Sequence, residues 1–313
     1  MGGVHWYRYR TFKDLPGAII HMSTRATLRR VVAATPAGAR PDELPCATIE
    51  RWLRGFSADP RLRDRSLHYM PCPCCGSLQP KHAYDFFGGR KHVRCPRCGS
   101  VERHRAACFS LATRGMLHGT MLHFGPIPAM EAAITAVCPR ARLTHLGVDF
   151  FATDERGRRY DVGQASSTSA TLFADVRDLR GHGTGSIDSI VILHVLEHVD
   201  RIARAIGEIH RVLAPAGKAL IEVPCSKVSY RGRPLAMSID CRNETEEGRT
   251  RRCGQRDHVW RFKCTEFEQR LTHGNLSCTD TTTDTFRRAG PFATVAMKLD
   301  RPAMFPQYVC SKR

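Results

Sequence analysis

The chain has 313 residues, 42 % of them hydrophobic and 25 % charged, which suits a globular protein built as one large domain with appendages or as two domains. Its 48 Lys and Arg (40 of them Arg) outnumber 30 Asp and Glu, for a formal net charge of +18; that balance fits either an acidic partner such as nucleic acid or Arg-rich codon usage, since the bases are dispersed along the chain. Fourteen cysteines would make a disulfide scaffold only in a short secreted chain, so a cytoplasmic protein is expected, with its cysteines serving as ligands or core thiols rather than bridges.

Met1 to Arg10 is basic and aromatic with no apolar stretch behind it, so no signal peptide is expected. Trp6 stands where a myristoylation motif starting at Gly2 needs Ser or Thr. No run approaches the roughly 20 apolar residues of a membrane span, and no membrane partner is expected. Residues 1–65 read as a basic, partly disordered extension broken by Pro16, Pro36, Pro41 and Pro45. A short helix is expected around Cys46 to Phe56.

Residues 66–110 hold two knuckles, Cys72-Pro73-Cys74-Cys75-Gly76 and Cys95-Pro96-Arg97-Cys98-Gly99, with 19 residues between them. Each Cys-x-x-Cys turn presents two thiolates to one point, and a zinc ion needs four soft ligands at tetrahedral corners. The spacing therefore predicts structural zinc on Cys72, Cys75, Cys95 and Cys98. Buried free thiols are the plain alternative; a redox pair would need one knuckle, not two. Arg90, Lys91, His92, Arg94, Arg97, Arg103, His104 and Arg105 crowd the second knuckle, as a phosphate-contacting face or a merely solvated one.

From Gly119 onward, apolar runs alternate with helical periods. Met121–Phe124 reads as a strand, and Ile127, Met130, Ile134 and Val137 mark the apolar face of a helix. Leu143–Val148 and Ile190–Leu193 read as further strands. Asp200 is positioned to cap a helix lined by Ile202, Ala205, Ile206, Ile209, Val212 and Leu213, and Lys218–Val223 follows as a buried strand. Strand, helix and strand at this spacing imply parallel pairing in a layered α/β sheet over residues 116–313, with a core separate from that of the cysteine block. The polar stretch 229–257 reads as a long loop. Phe267 and Leu271 mark a late helix, and Gln307–Cys310 a last strand.

His194-Val195-Leu196-Glu197-His198 fits the H-x-x-E-H pattern of certain zinc proteases, whose chemistry requires the motif inside a helix. Here it follows Ile190-Val191-Ile192-Leu193, an apolar β-branched run. That puts it at the carboxyl end of a strand, where open α/β sheets bind ligands.

The stretch from Ile187 through His194-Val195-Leu196-Glu197-His198-Val199, followed by Arg211-Val212-Leu213-Ala214-Pro215-Ala216-Gly217, resembles the fourth-strand signature of class I S-adenosylmethionine-dependent methyltransferases. More narrowly, it resembles a bacterial type-11 group with an N-terminal zinc ribbon. Cys95-Pro96-Arg97-Cys98-Gly99-Ser100-Val101-Glu102-Arg103-His104-Arg105 and Gly254-Gln255-Arg256-Asp257-His258-Val259-Trp260-Arg261 match that group's other two motifs, the second up to an inserted Trp260. The resemblance covers residues 70–313. It implies a doubly wound, mostly parallel Rossmann-like α/β fold behind a four-cysteine zinc ribbon, and methyl transfer from S-adenosylmethionine. The positions it assigns to the cofactor are Gly125 in the first turn, Asp149 for the ribose, Asp175 and Val176 for the adenine, and His194. His194, His198 and His258 are the candidate bases, because His titrates near working pH. Ile127 stands where the family carries an acid, and Ala216 replaces the first Gly of its post-helix loop. A small-molecule acceptor is expected ahead of nucleic acid, because few aromatics sit among the bases to stack on nucleobases. The alternative is a nucleic-acid-binding zinc ribbon, either on an RNA methyltransferase or on a catalytically degenerate scaffold.

Overall fold

The computed structural model describes residues 69–72, 74–75, 77–87, 90–137, 143–149, 171–225, 235–282 and 306–313. The N-terminal extension and the helix expected at Cys46–Phe56 lie outside the described residues. The cysteine block forms two antiparallel pairs, β1 (Tyr69–Cys72) with β2 (Ser77–Pro80) and β3 (Asp85–Phe87) with β4 (Arg90–Arg94). Helix α1 (Glu102–Thr113) follows at once. No amphipathic period announces this helix, because it is buried on almost every side, from Glu102 and His104 through Ala112.

The central sheet has seven strands: β5 (Gly119–Phe124), β6 (Leu143–Asp149), β7 (Thr171–Phe173), β8 (Ile187–Leu193), β9 (Leu213–Glu222), β12 (Leu276–Asp280) and β13 (Gln307–Lys312). Their order is β12-β13-β9-β8-β5-β6-β7. All pairings from β7 to β9 are parallel, and β13 runs antiparallel to both neighbours. The chain runs outward from β5 through β6 to β7, then returns to the other side of β5 with β8. The β5/β8 boundary is therefore the topological switch point, the place where such sheets bind ligands. Gly119 is required at the start of β5: its φ is +61°, and a Cβ there would collide with the Asp188 carboxylate, which accepts the Thr120 N–H at 2.8 Å.

Successive strand residues face opposite sides, and two cores result. Leu122, Phe124, Ile190, Ile192, Ala219 and Ile221 pack with α3 (Ile202–Val212) and α5 (Cys264–His273). Met121, Val191 and Leu220 pack instead with α1 and with α2 (Pro128–Val137). The second cluster also contains Cys72, Tyr84 and Cys95, which corrects the expectation of separate cores. The cysteine block is part of the layer covering one sheet face, joined to it through α1.

Three other expectations change. Asp200 does not cap α3: the N-cap is Arg201 without a side-chain bond, and Asp200 instead pairs with Arg177 at 2.6 Å. The region read as a loop at 229–257 contains a helix, α4 (Glu246–Cys253), and the first half of a two-residue ladder between β10 (Ile239–Asp240) and β11 (Trp260–Arg261). Helix α4 lacks an apolar face because it is held otherwise. Thr245 Oγ1 accepts the Gly248 N–H, Gly254 closes the C-terminus at φ +93°, and Cys253 is bridged to Cys241. That disulfide, and a second joining Cys278 and Cys310 directly across β12 and β13, correct the expectation of ligands or core thiols rather than bridges for these four cysteines. Among the described residues no helix is long and apolar enough to cross a membrane.

Candidate active site at the carboxyl end of the sheet

At the switch point the chain leaves β5 through Gly125, whose φ is +57° and whose N–H donates to the Val148 carbonyl at 2.8 Å. A Cβ at Gly125 would lie 3.7 Å from Val195, so the turns after β5 and β8 face each other. The H-x-x-E-H segment turns off β8 as predicted. His194 takes a left-handed φ of 56°, and Leu196–His198 forms one turn of 3-10 helix. A left-handed backbone is uncommon for histidine. Here it is held because the His194 N–H donates to the Glu222 carbonyl at 2.9 Å and the ring lies between two carboxylates.

Those carboxylates, Glu197 and Glu222, are both fully buried. His194 Nε2 lies 3.1 Å from Glu222 Oε1, and Nδ1 lies 3.2 Å from Glu197 Oε1. Burial alone would lower the His194 pKa, but the two carboxylates outweigh it and raise it to about 9. Burial would conversely raise the Glu197 carboxyl, and His194 and His198 hold it below the usual range. Glu222 is satisfied on its other side, where Gln307 Nε2 donates to Oε2 at 2.7 Å and Ser110 donates to the Gln307 side-chain oxygen at 3.0 Å. Glu197 differs: its Oε1 is met only by His194 Nδ1, and Oε2 has no partner.

The Gly254–Arg261 motif docks on this turn. Val259 N–H donates to the Glu197 carbonyl at 2.9 Å, and Trp260 Nε1 donates to the Val199 carbonyl at 2.9 Å. Trp260 also lies between the guanidinium groups of Arg242 and Arg270, at 4.8 and 4.9 Å from its ring. His198 Nδ1 meets the Asp257 carbonyl at 3.0 Å, and the His198 and His258 rings meet edge to face at 4.8 Å. The three candidate histidines, 64 residues apart at their extremes, are thus gathered around Glu197.

The remaining candidates fall into two groups. Asp149 ends β6 opposite Phe173; its side chain lies outside the described residues. Asp175 follows β7 and is engaged by Arg177, through the backbone N–H at 2.9 Å and the guanidinium at 2.7 Å. Burial would raise the Asp175 pKa, but Arg177 takes it below the usual carboxylate range. The Val176 side chain packs into the core. In the cysteine block, Cys72, Cys75, Cys95 and Cys98 bring their four sulfurs within 4.8 Å of one another. Two of the basic residues beside them turn inward: Arg105 and His104 are buried.

Glu222 and Gln307 escape the sequence reading as site residues, and Asp257 appears there only as a member of the Gly254–Arg261 motif. Glu222 leaves a signal of its own, as a carboxylate inside the apolar run Ala219-Leu220-Ile221-Glu222-Val223.

Residues 131–221, from α2 to the end of β9, match a family model described as a methyltransferase domain. No curated protein matches the chain. Similar solved structures include an S-adenosylmethionine-dependent methyltransferase from Mesorhizobium loti (17 % identity, 64 % of this chain and 95 % of that one, TM-score 0.39). Others are the 1,6-didemethyltoxoflavin-N1-methyltransferase of Burkholderia thailandensis (16 %, 67 % and 77 %, 0.41) and a SAM-dependent methyltransferase from Archaeoglobus fulgidus (13 %, 67 % and 94 %, 0.40).

Proposed function

We propose that the chain is an S-adenosylmethionine-dependent methyltransferase acting on a small-molecule acceptor. The observation that carries this reading is the match of residues 131–221 to a methyltransferase domain. That segment spans β6 to β9 and so carries one side of the switch point. Gly125, Asp149, Asp175, Val176 and His194 would hold the cofactor across the carboxyl ends of β5 to β8. Gly125 fits such a role: it is left-handed, and no atom of a neighbouring element comes closer than van der Waals contact to where its Cβ would stand. S-adenosylmethionine supplies an electrophilic methyl group when bound. The protein's part is to hold donor and nucleophile collinear, which demands few obligatory side chains. His194, His198 and His258 line the acceptor side, and the docked Gly254–Arg261 segment closes it.

Zinc on Cys72, Cys75, Cys95 and Cys98 would serve structure. Zinc–sulfur arms of about 2.3 Å put tetrahedral sulfurs about 3.8 Å apart. The Cys72–Cys98 and Cys75–Cys95 pairs stand at 3.6 and 3.8 Å. Because this block shares a core with the sheet, it braces the face behind the site.

Isothermal titration with S-adenosylmethionine and S-adenosylhomocysteine tests the reading. The wild-type chain should bind both, and Asp149→Ala should weaken binding by about 1–3 kcal/mol, the cost of unpaired ribose hydroxyls. A wild-type chain that binds neither ends the proposal.

A further inference from the structure

We propose that Glu197, His198 and His258 form a divalent-cation site of their own, distinct from the four cysteines. One carboxylate oxygen and two imidazole nitrogens lie within 4.8 Å of one another, on groups that are buried or half-buried. Ligand arms of about 2.1 Å bring such atoms to about 3 Å from each other, so a bound ion would draw the three groups together.

Two observations point to a cation there. The first is Glu197 itself, fully buried, with only the His194 Nδ1 contact at 3.2 Å on Oε1 and no partner on Oε2. A buried carboxylate is costly unless it is fully paired or bound to metal. The second is the outer arrangement. His198 Nδ1 donates to the Asp257 carbonyl at 3.0 Å, which turns Nε2 to the Glu197 side, 3.9 Å from Oε1. Metal-binding histidines are oriented in this way by a carbonyl on the other ring nitrogen. Two histidines and one carboxylate suit Mn2+, Fe2+ or Zn2+ and leave coordination positions open. The site lies just beyond β8, where the acceptor would enter, so it would take an acceptor carrying hydroxyl oxygens; that role rests on the methyl-transfer reading, whereas cation binding does not.

Mn2+ alone is the probe, because hard Mn2+ has little affinity for a thiolate site. The untagged full-length chain, titrated with Mn2+ and followed by the loss of the free-ion paramagnetic resonance signal, should take up one equivalent. Glu197→Gln, and separately the partly exposed His198→Asn, should weaken uptake at least tenfold while the circular dichroism spectrum stays native. Cys98→Ser should leave uptake unchanged if the chain remains folded. A wild-type chain that binds no Mn2+, or folded variants of both kinds that bind it as tightly as wild type, overturns the site. Parallel titration with S-adenosylmethionine separates the two readings: cofactor binding without Mn2+ uptake refutes the cation site alone, and Mn2+ uptake without cofactor binding refutes methyl transfer alone.

Discussion

Arg105 decides whether the basic residues beside the second knuckle belong to a binding face. It is fully buried, its Nη1 donates to the carbonyls of Val93 and Ser100 at 2.9 Å each, and its guanidinium stands 5.5 Å over the Tyr84 ring. Two bonds from a charged donor contribute about 1.5–3 kcal/mol each, and a desolvated cation–π contact about 2 kcal/mol. Against this, Nε and Nη2 are buried without partners, at a cost of about 1–3 kcal/mol each. Arg105→Met keeps the length, loses both the bonds and the unmet donors, and should destabilise the protein by about 3 kcal/mol. At about 2–4 °C per kcal/mol for a domain of this size, the melting midpoint should fall by roughly 6–12 °C. Urea unfolding followed by circular dichroism reads this directly, because the cysteine block and the sheet share a core. An unchanged midpoint, together with RNA binding whose salt slope drops by about one, would refute the structural role and mark Arg105 as a phosphate contact.

The His123 pKa is pushed down to about 3, first by burial and then by His145, whose ring nitrogen stands 3.2 Å away. Its folded value lies below the unfolded one, so the native protein stays neutral where the unfolded chain gains a proton. Stability is full above about pH 6.5 and falls by about 1.4 kcal/mol per unit below it; a urea midpoint that does not move between pH 7 and 5 would contradict this. Cys253→Ala opens the bridge to Cys241 and should cost about 2–3 kcal/mol, given the short loop closed. The same change should loosen Mn2+ binding, since the bridge anchors the chain five residues before His258; full affinity after reduction with dithiothreitol would show that the bridge does not position that histidine.

Strands β8 and β9 were legible because they are largely buried on both faces and read as unbroken apolar runs, as in Ile190-Val191-Ile192-Leu193, whereas the three-residue β7 and the alternately exposed β12 went unread. Helix α3 was legible because one stripe alone meets the core. The same logic explains the failures. Helix α1 is covered all round and shows no period, whereas α4 is scarcely covered and is fixed by a cap, a left-handed glycine and a disulfide. Neither condition leaves an amphipathic trace. The inward-turned Arg105 and His104 have the composition of a surface, and only packing reveals that one anchors carbonyls while the other bonds the Val101 N–H.

The candidate site divides along the same line. His194, Glu197 and His198 lie in one short motif, and the geometry of a strand end accounts for their meeting. His258 reaches them through backbone pairing, with Val259 N–H on the Glu197 carbonyl, while Trp260 is held between Arg242 and Arg270. A docked hairpin of this kind is specified by contacts across some sixty residues, not by local pattern. Glu222 reaches His194 from the neighbouring parallel strand, by the register that pairs Leu193 with Glu222. A one-residue slip in that register would turn its side chain to the other face of the sheet. The buried polar chain from Ser110 through Gln307, Glu222 and His194 to Glu197 therefore also helps fix strand register. Glu197 stands at its end, tied through Oε1 to His194 but with no partner on Oε2, beside the two histidines that the docked hairpin and the 3-10 turn bring to it.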